Sequence, residues 1–303
     1  MRRLTVACAE GQTSAIAFGP EGPPDLVFLH ATGFNALAYR SLLEPLGQRF
    51  RIIALDQRGH GRSQLPAEPA ALRSWDDYVR DFLTVAEPLW GQAPPPVIAG
   101  HSMGGAVAAM AAARRPGLAD RLVLFDPVMP PDGLRLRLLP LVPQARRIAR
   151  IPIAAAAQRR RDRFPSRAAA QDSYRGRGAF ATWQGAFLND YVEDGFKDTD
   201  AGDVALSCAP GWEAATFAGV RGGVAAALKA IACPVEILLA ARGSAVRIDA
   251  EHLRQLKPDL RVETVSGTSH FLPMEVPTVA RQHLARALAE RAGTGSAVPL
   301  AAG

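Results

Sequence analysis

The stretch Gly100-His101-Ser102-Met103-Gly104 has the pattern Gly-x-Ser-x-Gly, with a serine at its centre. A short apolar run, Pro96-Val97-Ile98-Ala99, precedes it, and an alanine-rich run that predicts a helix, 106–113, follows it. This order predicts a strand, a sharp turn and a helix, with Ser102 at the apex of the turn. The two glycines have no Cβ atom that could clash in so tight a turn. We interpret Ser102 as a nucleophile at a helix N-terminus, where backbone N–H groups favour negative charge.

The composition is that of a globular protein with a large core. The chain has 303 residues, of which 48% are hydrophobic and 21% are charged, so one large domain or one domain with an insertion is expected. Its net charge of +6 comes mainly from arginine. The densest basic cluster, 159–163, is interpreted as a solvated helix face, and no nucleic-acid partner is predicted.

The cysteines and the hydropathy pattern indicate the cellular compartment in which the protein is expected. Cys8, Cys208 and Cys233 are odd in number and far apart, so they form neither a disulfide framework nor a Cys-x-x-Cys metal pair. This pattern favours a reducing compartment, and a cytoplasmic location is expected. No uninterrupted apolar stretch of about 18 residues occurs, so neither a membrane span nor a membrane partner is predicted.

Short apolar runs alternate with helical patterns along most of the chain. This alternation predicts an α/β fold, with a mostly parallel twisted sheet flanked by helices. Between 127 and 219 the sequence is instead rich in arginine, alanine and aromatic residues, with helical periodicity and no convincing strand. A segment of this length is too long for a loop, so we expect an inserted helical cap over the carboxyl ends of the strands.

The expected organisation therefore has four parts. The first part of the core spans 1–126 and the cap insertion spans 127–219. The second part of the core spans 220–291, and a small, polar tail at 292–303 is predicted to be disordered. Aromatic residues of the cap are expected to divide between its own core and the wall of a pocket, and they are Phe164, Phe180, Trp183, Phe187, Tyr191, Trp212 and Phe217.

Four motifs occur in a characteristic order: 30–35, His-Ala-Thr-Gly-Phe-Asn; 56–63, Asp-Gln-Arg-Gly-His-Gly-Arg-Ser; the serine pentapeptide; and 267–277, which contains His270. Together they resemble the α/β-hydrolase fold superfamily, over roughly 25–130 and 230–290. The resemblance implies an esterase-like or lipase-like serine hydrolase with a helical cap. It also implies that His30 and His60 brace loops.

The same resemblance bears on the loop at 56–63 and on His101. Asp56 and Arg58 are expected to be structural and to tie neighbouring loops through charge-assisted hydrogen bonds. His101 lies beside the serine in the sequence and is expected to point away from it. No chemistry is assigned to these residues.

A serine hydroxyl is a poor nucleophile at neutral pH, so Ser102 needs a base that takes its proton. His270 is the candidate, because small residues before it, from Gly267, let the loop carry an imidazole over the edge of the sheet. A surface histidine ahead of the last helix is the alternative interpretation. The other histidines fit the role less well.

A serine hydrolase of this kind also needs a carboxylate that orients the histidine and completes a Ser-His-Asp triad. The residue that supplies this carboxylate is less obvious. In much of the superfamily it follows the strand before the histidine strand, but this chain has Ser244 there. Some lipase-like members place the carboxylate after the strand that follows the helix next to the nucleophile. This chain has Asp126 there, and the order Ser, Asp, His along the chain is kept. Asp126 could alternatively cap a helix that begins at Pro127. Asp249, a few residues past Ser244, is the second candidate for the acid.

An oxyanion hole needs two backbone N–H groups that point at the developing charge. The residue after the nucleophile supplies one, so we expect the N–H of Met103 to take part. The second should come from the loop after His30, and the motif favours Thr32. Gly33 or Phe34 would serve if the loop were shifted.

These residues predict acyl transfer to water on a small to medium carboxylic ester. Because Ser102 replaces the aspartate nucleophile of epoxide and haloalkane hydrolases, both activities are disfavoured. A carbon–carbon bond hydrolase, a lactonase and a cofactor-free perhydrolase remain open. So does a non-catalytic ligand receptor, because Ser244 is not a carboxylate. No cofactor and no metal are expected, and the protein should act on a small-molecule ester either alone or as a homodimer.

Overall fold

The computed structural model describes residues 1–130, 141–220 and 223–293. An eight-stranded sheet forms its centre, and a three-stranded sheet lies in the insertion. The strands, in chain order, are β1 (Arg2–Cys8), β2 (Gly11–Phe18), β3 (Leu26–Leu29), β4 (Ile52–Leu55), β5 (Val97–His101), β6 (Arg121–Phe125), β7 (Arg163–Phe164), β8 (Phe196–Asp198), β9 (Val204–Leu206), β10 (Val235–Ala240) and β11 (Arg261–Val265).

Helices connect the strands and cover the large sheet. Those in the described residues are α1 (Arg40–Leu43), α2 (Asp76–Trp90), α3 (Met103–Arg114), α4 (Gln144–Arg150), α5 (Pro152–Gln158), α6 (Arg167–Tyr174), α7 (Gly185–Gly195), α8 (Pro210–Ala218), α9 (Val224–Ala230), α10 (Ala250–Leu256), α11 (Leu272–Glu275) and α12 (Pro277–Arg291).

The large sheet has the strand order β1-β2-β4-β3-β5-β6-β10-β11. The first two strands pair antiparallel with each other and β2 pairs antiparallel with β4, whereas all later pairs are parallel. Every residue of β3, β4 and β5 is buried, as expected where helices cover both faces of a parallel sheet. The predicted mostly parallel sheet flanked by helices is confirmed.

Side chains of the central strands alternate between two apolar clusters, one on each face of the sheet. In β3, for example, Val27 and Leu29 pack with α2 and α3, while Leu26 and Phe28 pack on the opposite face with α1 and α12. Aromatic residues of the insertion, including Phe187 and Tyr191, join this second cluster. The insertion is therefore continuous with one of the two cores.

Between β6 and β10 the described residues 141–220 contain five helices, α4 to α8, as the helical periodicity predicts. The expectation that this segment has no strand was wrong, because β7, β9 and β8 form a small antiparallel sheet there. Each of these strands has only two or three residues, so a period-2 pattern cannot be recognised in them. The bounds of the core and the insertion stay predictions, and 294–303 of the predicted tail lies outside the described residues.

The carboxyl ends of the parallel strands share one edge of the sheet. His30, Asp56, Ser102 and Asp126 each directly follow such a strand end, and His270 follows β11 after a short loop. In open α/β sheets this edge is where ligands bind. The order of the strands thus brings the predicted site residues together, although they are up to 240 positions apart in the sequence.

Candidate active site

Ser102 lies in a strained turn between β5 and α3. Its φ of 56° and ψ of −117° are unusual for a residue with a side chain. A Cβ atom at Gly100 would lie 2.5 Å from the carbonyl of Gly104, and one at Gly104 would lie 2.2 Å from the carbonyl oxygen of Leu29. Glycine is therefore required at both positions for the turn to pack against the sheet.

His270 lies between the serine and a carboxylate. Its Nε2 is 2.9 Å from the hydroxyl oxygen of Ser102, and its Nδ1 is 2.6 Å from Oδ2 of Asp126. An ionised carboxylate only accepts hydrogen bonds, so Nδ1 carries the proton and Nε2 is free to accept the serine proton. The arrangement has the geometry of a nucleophile, a base and an orienting acid.

Asp126 is fully buried and accepts further hydrogen bonds from the chain after β10. Its Oδ1 accepts from the N–H of Ala240 at 3.0 Å and from the hydroxyl of Ser244 at 2.5 Å, and its Oδ2 accepts from the N–H of Ala245 at 2.8 Å. Burial alone would raise the pKa of Asp126. The hydrogen bonds from His270, Ala240 and Ser244, with the charge of His270, hold that pKa below its usual value.

The two alternatives to Asp126 as the acid are a capping role for Asp126 and a carboxylate supplied by Asp249. Pro127 lies in irregular backbone, so no helix begins there for Asp126 to cap. Asp249, the second candidate for the acid, is instead the N-cap of α10 and accepts from the N–H of His252 at 2.8 Å. The serine at the superfamily's usual acid position, Ser244, donates to the carboxylate that lies against His270.

The loop after β3 was expected to supply an oxyanion donor. The N–H of Gly33 donates to Nε2 of His60 at 3.0 Å, and the N–H of Phe34 donates to the carbonyl of Ala31 at 3.1 Å. Both alternative donors in this loop are therefore engaged inside the protein. The N–H of Thr32 takes part in no hydrogen bond among the described residues.

The direction of the Thr32 N–H follows from the peptide plane that it shares with Ala31. The Ala31 carbonyl is held by the Nδ1–H of His30 at 2.7 Å, in addition to the N–H of Phe34. In a trans peptide the N–H points opposite to the carbonyl, so holding this carbonyl also fixes the Thr32 N–H. The Met103 N–H begins α3 and has no partner among the described residues, which leaves two amides as candidate oxyanion donors.

Two buried histidines brace this loop, a role that the resemblance had implied. Burial lowers the pKa of His60 to about 4 and lowers that of His30 well below its usual value. Both are therefore neutral near pH 7, with one nitrogen donating and the other accepting. Nε2 of His30 accepts from the N–H of Gln57 at 3.0 Å, so the histidine also joins two neighbouring loops.

Asp56 and Arg58 connect different parts of the core and do not pair with each other. The carboxylate of Asp56 accepts from the N–H of Ala36 at 2.8 Å and from that of Arg62 at 3.0 Å. Burial raises the pKa of Asp56 to about 6, despite these hydrogen bonds. Arg58 instead pairs with Asp81, at 2.6 and 2.7 Å, and with Glu10.

An aromatic wall lies beside the candidate triad. Phe34 lies in the loop after β3 (30–36), the candidate oxyanion loop. Its ring stacks with that of Phe271, next to His270, with centroids 6.1 Å apart. Trp183 of the insertion contacts both rings, at 5.1 and 5.9 Å, and Tyr191 contacts Phe34 at 5.7 Å. Phe180 packs on Trp183. Part of the insertion therefore faces the loops that carry Phe34 and His270.

The remaining aromatic residues of the insertion take other places. Phe164 and Phe187 are buried in the apolar cluster on that side of the sheet. Trp212 donates from its indole N–H to the carbonyl of Arg58 at 3.0 Å. Sequence reasoning did not single out Phe34 or Phe271 as wall residues. Their positions next to the oxyanion loop and the base were the available signal.

The described residues contain no group of three or more histidine, cysteine or carboxylate side chains that could hold a metal ion. None of their helices combines the length and the hydropathy that a membrane span requires.

Known proteins are similar to this chain to different extents. A sequence model described as "Alpha/beta hydrolase family" matches residues 26–281. A protein of Mycobacterium bovis without a described function is 30% identical over 154 residues, which cover 50% of this chain and 43% of that protein. Protein phosphatase methylesterase 1 of Mus musculus is 40% identical over 98 residues, which cover 31% of this chain and 25% of the methylesterase. The chain thus spans less than half the length of these relatives.

A solved structure extends the comparison over nearly the whole chain. E-2-(acetamidomethylene)succinate hydrolase superposes with a TM-score of 0.76 at 22% identity. The superposition covers 94% of this chain and 98% of that one. At this identity the likeness concerns the fold.

Proposed function

The chain belongs to the alpha/beta hydrolase family, and from this premise we propose that it is a serine hydrolase that cleaves small to medium carboxylic esters. The observation that carries the proposal is the contact series from Ser102 through His270 to Asp126, with distances of 2.9 and 2.6 Å. These are hydrogen-bond distances, and the carboxylate fixes the tautomer in which the imidazole can act as a base.

In the first half of the reaction, Nε2 of His270 takes the hydroxyl proton as the oxygen of Ser102 attacks the ester carbonyl. The carbonyl π electrons move to its oxygen, and the N–H groups of Thr32 and Met103 stabilise the resulting oxyanion. When the carbonyl re-forms, the bond to the alcohol breaks, and His270 returns the proton to the leaving oxygen. The products of this half are an alcohol and an acyl-enzyme.

In the second half, water takes the place of the alcohol. His270 removes a proton from the water as its oxygen attacks the acyl carbon, and the same two amides stabilise the second oxyanion. Collapse of this intermediate breaks the bond to Ser102, which regains its proton from His270. Asp126 stabilises the imidazolium in both halves and does not itself take the proton.

The wall beside the triad supports an apolar substrate. Phe34, Trp183 and Phe271 offer ring faces and edges next to the oxyanion loop and the base. Ligand sites with aromatic linings bind mainly through apolar contact, with a few polar groups that fix orientation. An acyl or alcohol part of modest size and low polarity fits these surroundings.

A ligand receptor without turnover is the alternative that a serine at position 244 leaves open. Asp126 lies against His270 and receives the Ser244 hydroxyl, so a carboxylate is present although the usual position lacks one. This favours the enzyme over the receptor.

The first test compares the wild type with Ser102→Ala on p-nitrophenyl esters of increasing acyl length. We expect turnover by the wild type, best with short or medium chains, and at least a 10³-fold loss of kcat in the variant, with an unchanged Tm. A fluorophosphonate probe should label the wild type at Ser102 and leave the variant unlabelled. Equal turnover by both proteins would refute the assignment.

The same panel also separates the other reactions. A γ-lactone, a vinylogous 1,5-diketone and peracid formation from acetate with hydrogen peroxide test lactonase, carbon–carbon hydrolase and perhydrolase activity. We expect kcat/KM for the best p-nitrophenyl ester to exceed each of these by at least about tenfold. A higher value for one of them would keep the serine mechanism and change the substrate class.

A further inference from the structure

Two buried side chains outside the triad connect its loops. Nε2 of His101 is 2.7 Å from the carbonyl oxygen of His270, and Nδ1 of His101 is 2.7 Å from the hydroxyl oxygen of Tyr39. That hydroxyl oxygen also accepts from the N–H of Ala31 at 3.2 Å. Both His101 and Tyr39 have no exposed surface.

The direction of each hydrogen bond in this series is determined. A carbonyl oxygen only accepts, so Nε2 of His101 carries the proton that it shares with the backbone of His270. Burial and the nearby His270 lower the pKa of His101 to about 3, so its Nδ1 is unprotonated and accepts from the Tyr39 hydroxyl. Burial also raises the pKa of Tyr39 well above 10, so the phenol keeps its proton.

The series joins the segments that carry the reaction. Ala31 immediately precedes the oxyanion donor Thr32, and His101 immediately precedes the nucleophile. The other end of the series is the backbone of the base itself, and the rings of His101 and His270 lie with centroids 5.0 Å apart. A shift of any one segment would stretch a hydrogen bond of the series, and those of Tyr39 with Ala31 and with His101 are fully buried.

We propose that Tyr39 and His101 are positioning residues that hold the oxyanion loop and the His270 loop at fixed distances from Ser102. This inference rests on the proposed serine hydrolase function. Neither side chain touches the reacting atoms in this arrangement. Their contribution is to limit displacement, since an error of about 1 Å in such a site can cost 10²-fold in rate.

Three variants separate the two ends of the series. His101→Leu has a similar volume and removes both hydrogen bonds. His101→Gln can place an amide N–H near the His270 carbonyl and so retains one end. Tyr39→Phe removes the hydroxyl and leaves the N–H of Ala31 and Nδ1 of His101 without partners. Tyr78→Phe is the matched control, because Tyr78 is also buried and its hydroxyl bonds to Oγ1 of Thr216, at 2.7 Å, and not to a loop of the triad.

With the best p-nitrophenyl ester, we expect kcat to fall roughly tenfold in Tyr39→Phe and roughly 30- to 100-fold in His101→Leu, with KM changed less than threefold. His101→Gln should recover most of the loss, and Tyr78→Phe should stay within twofold of the wild type. The double variant Tyr39→Phe/His101→Leu should lose clearly less than the product of the two single losses, because both changes break one series.

The inference is overturned if Tyr39→Phe and His101→Leu match Tyr78→Phe in kcat, or if their effects multiply in the double variant. It is also overturned if losses in kcat follow losses in Tm across all four single variants, which a merely structural role would produce. Ser102→Ala is measured in parallel. If that variant keeps its activity, the proposed function fails. If it is inactive and the positioning variants are not impaired, the inference alone fails.

Discussion

The loops at the sheet edge and the insertion above them are held by different forces. Around Ser102 the backbone is fixed by neutral hydrogen bonds with buried histidines, of which His30 and His60 hold the candidate oxyanion loop. Helix α7 of the insertion is attached to the core by ion pairs. Asp194 pairs with Arg3 at 2.6 Å and with Arg62 at 2.8 Å.

Further charges attach α7 to the core and connect parts of the insertion with each other. Asp190, also on α7, pairs with Arg40 and accepts the hydroxyl of Ser41 at 2.5 Å. Arg160 pairs with Glu213 on α8 at 3.1 Å and donates to the hydroxyl of Tyr191 at 2.6 Å. Besides the apolar contacts that it shares with the core, the insertion is thus held by buried carboxylates with arginine partners that reach partly into solvent.

These two kinds of contact suggest different roles for the two regions. Neutral, directional hydrogen bonds without exposed ends hold a geometry that must be accurate to a fraction of an ångström, and ionic strength hardly affects them. Ion pairs with partly exposed arginines define the position of the insertion less strictly. Changes at the sheet edge should therefore act on kcat, and changes in the insertion should act on KM and stability.

The largest effect is expected from Asp126→Asn. Asparagine has the same shape and tolerates the positive φ of 43° at this position, but it favours the wrong imidazole tautomer. We expect kcat to fall about 10⁴-fold with little change in KM. Steady-state kinetics with a p-nitrophenyl ester checks this, with thermal unfolding as the control for folding.

A variant in which the carboxylate is moved from position 126 to position 244 also tests this region. The hydroxyl of Ser244 is already 2.5 Å from Asp126, so a carboxylate at 244 should lie close to His270. The double variant Asp126→Ser/Ser244→Asp should recover at least tenfold in kcat over Asp126→Ser. No recovery, in a variant that folds, would mean that the site accepts the acid only from the end of β6.

The buried neutral histidines make the core sensitive to acid. His30, His60 and His101 have pKa values lowered by burial, to about 4 for His60 and about 3 for His101, so the unfolded chain takes up more protons between pH 6.5 and 4. Stability is therefore present above about pH 6.5 and is lost as the pH falls. Asp56 acts in the opposite sense, because its pKa is raised to about 6 and the folded state keeps its proton.

Near pH 5, unfolding adds about three protons, one to each of the three histidines, and removes about one proton from Asp56. The free energy of unfolding should then fall by roughly 3 kcal/mol for each unit by which the pH is lowered. Urea unfolding at pH 7, 6 and 5 measures this slope. The variant His60→Gln, which removes one titrating group, should reduce it by about 1.4 kcal/mol per pH unit. An unchanged slope would contradict the assignment of His60 as neutral.

Sequence reasoning and structure agree best where the signal is local. The elbow glycines, the serine and the order of the motifs depend on neighbouring residues, and Ser102, Asp126 and His270 do lie together. The motif favours Thr32 over Gly33 as the oxyanion donor, and this assignment stays a prediction. Its physical reason, the hydrogen bond between Gly33 and His60, could not be derived from the sequence.

The parts that sequence reasoning missed depend on contacts between distant residues. The pair of Arg3 and Asp194 is 191 positions apart, and the series from Tyr39 to His101 spans 62 positions. Neither pair belongs to a periodic pattern or a turn motif. The strands of the insertion are too short to show alternation. Such features are decided by tertiary packing, which local propensity does not specify.

A smaller effect is expected where the insertion meets the core. Asp194→Asn removes the charge that pairs with Arg3 and Arg62, whose side chains are 30% and 53% exposed and can be solvated. We expect the free energy of unfolding to fall by about 2 kcal/mol, below the cost of breaking a fully buried pair. KM should rise severalfold while kcat stays within threefold. A loss mainly in kcat would remove the distinction between the two regions.

The smallest and most direct comparison uses two serines in matched surroundings. Ser244 and Ser41 each donate a hydroxyl at 2.5 Å to a buried carboxylate, Asp126 at the sheet edge and Asp190 in the insertion. Replacement of either serine by alanine should lower the free energy of unfolding by about 1.5 kcal/mol, since both hydrogen bonds are charge-assisted.

Only Ser244→Ala should affect the chemical step. Ala240 and Ala245 continue to hold Asp126, so we expect a loss in kcat of about fivefold and not the full loss of an acid. Ser41→Ala should keep kcat within twofold, because its carboxylate supports a helix and not an imidazole. Thermal unfolding and single-substrate kinetics on both variants measure the two quantities together. Equal losses of kcat would show that positioning of the triad extends into the insertion.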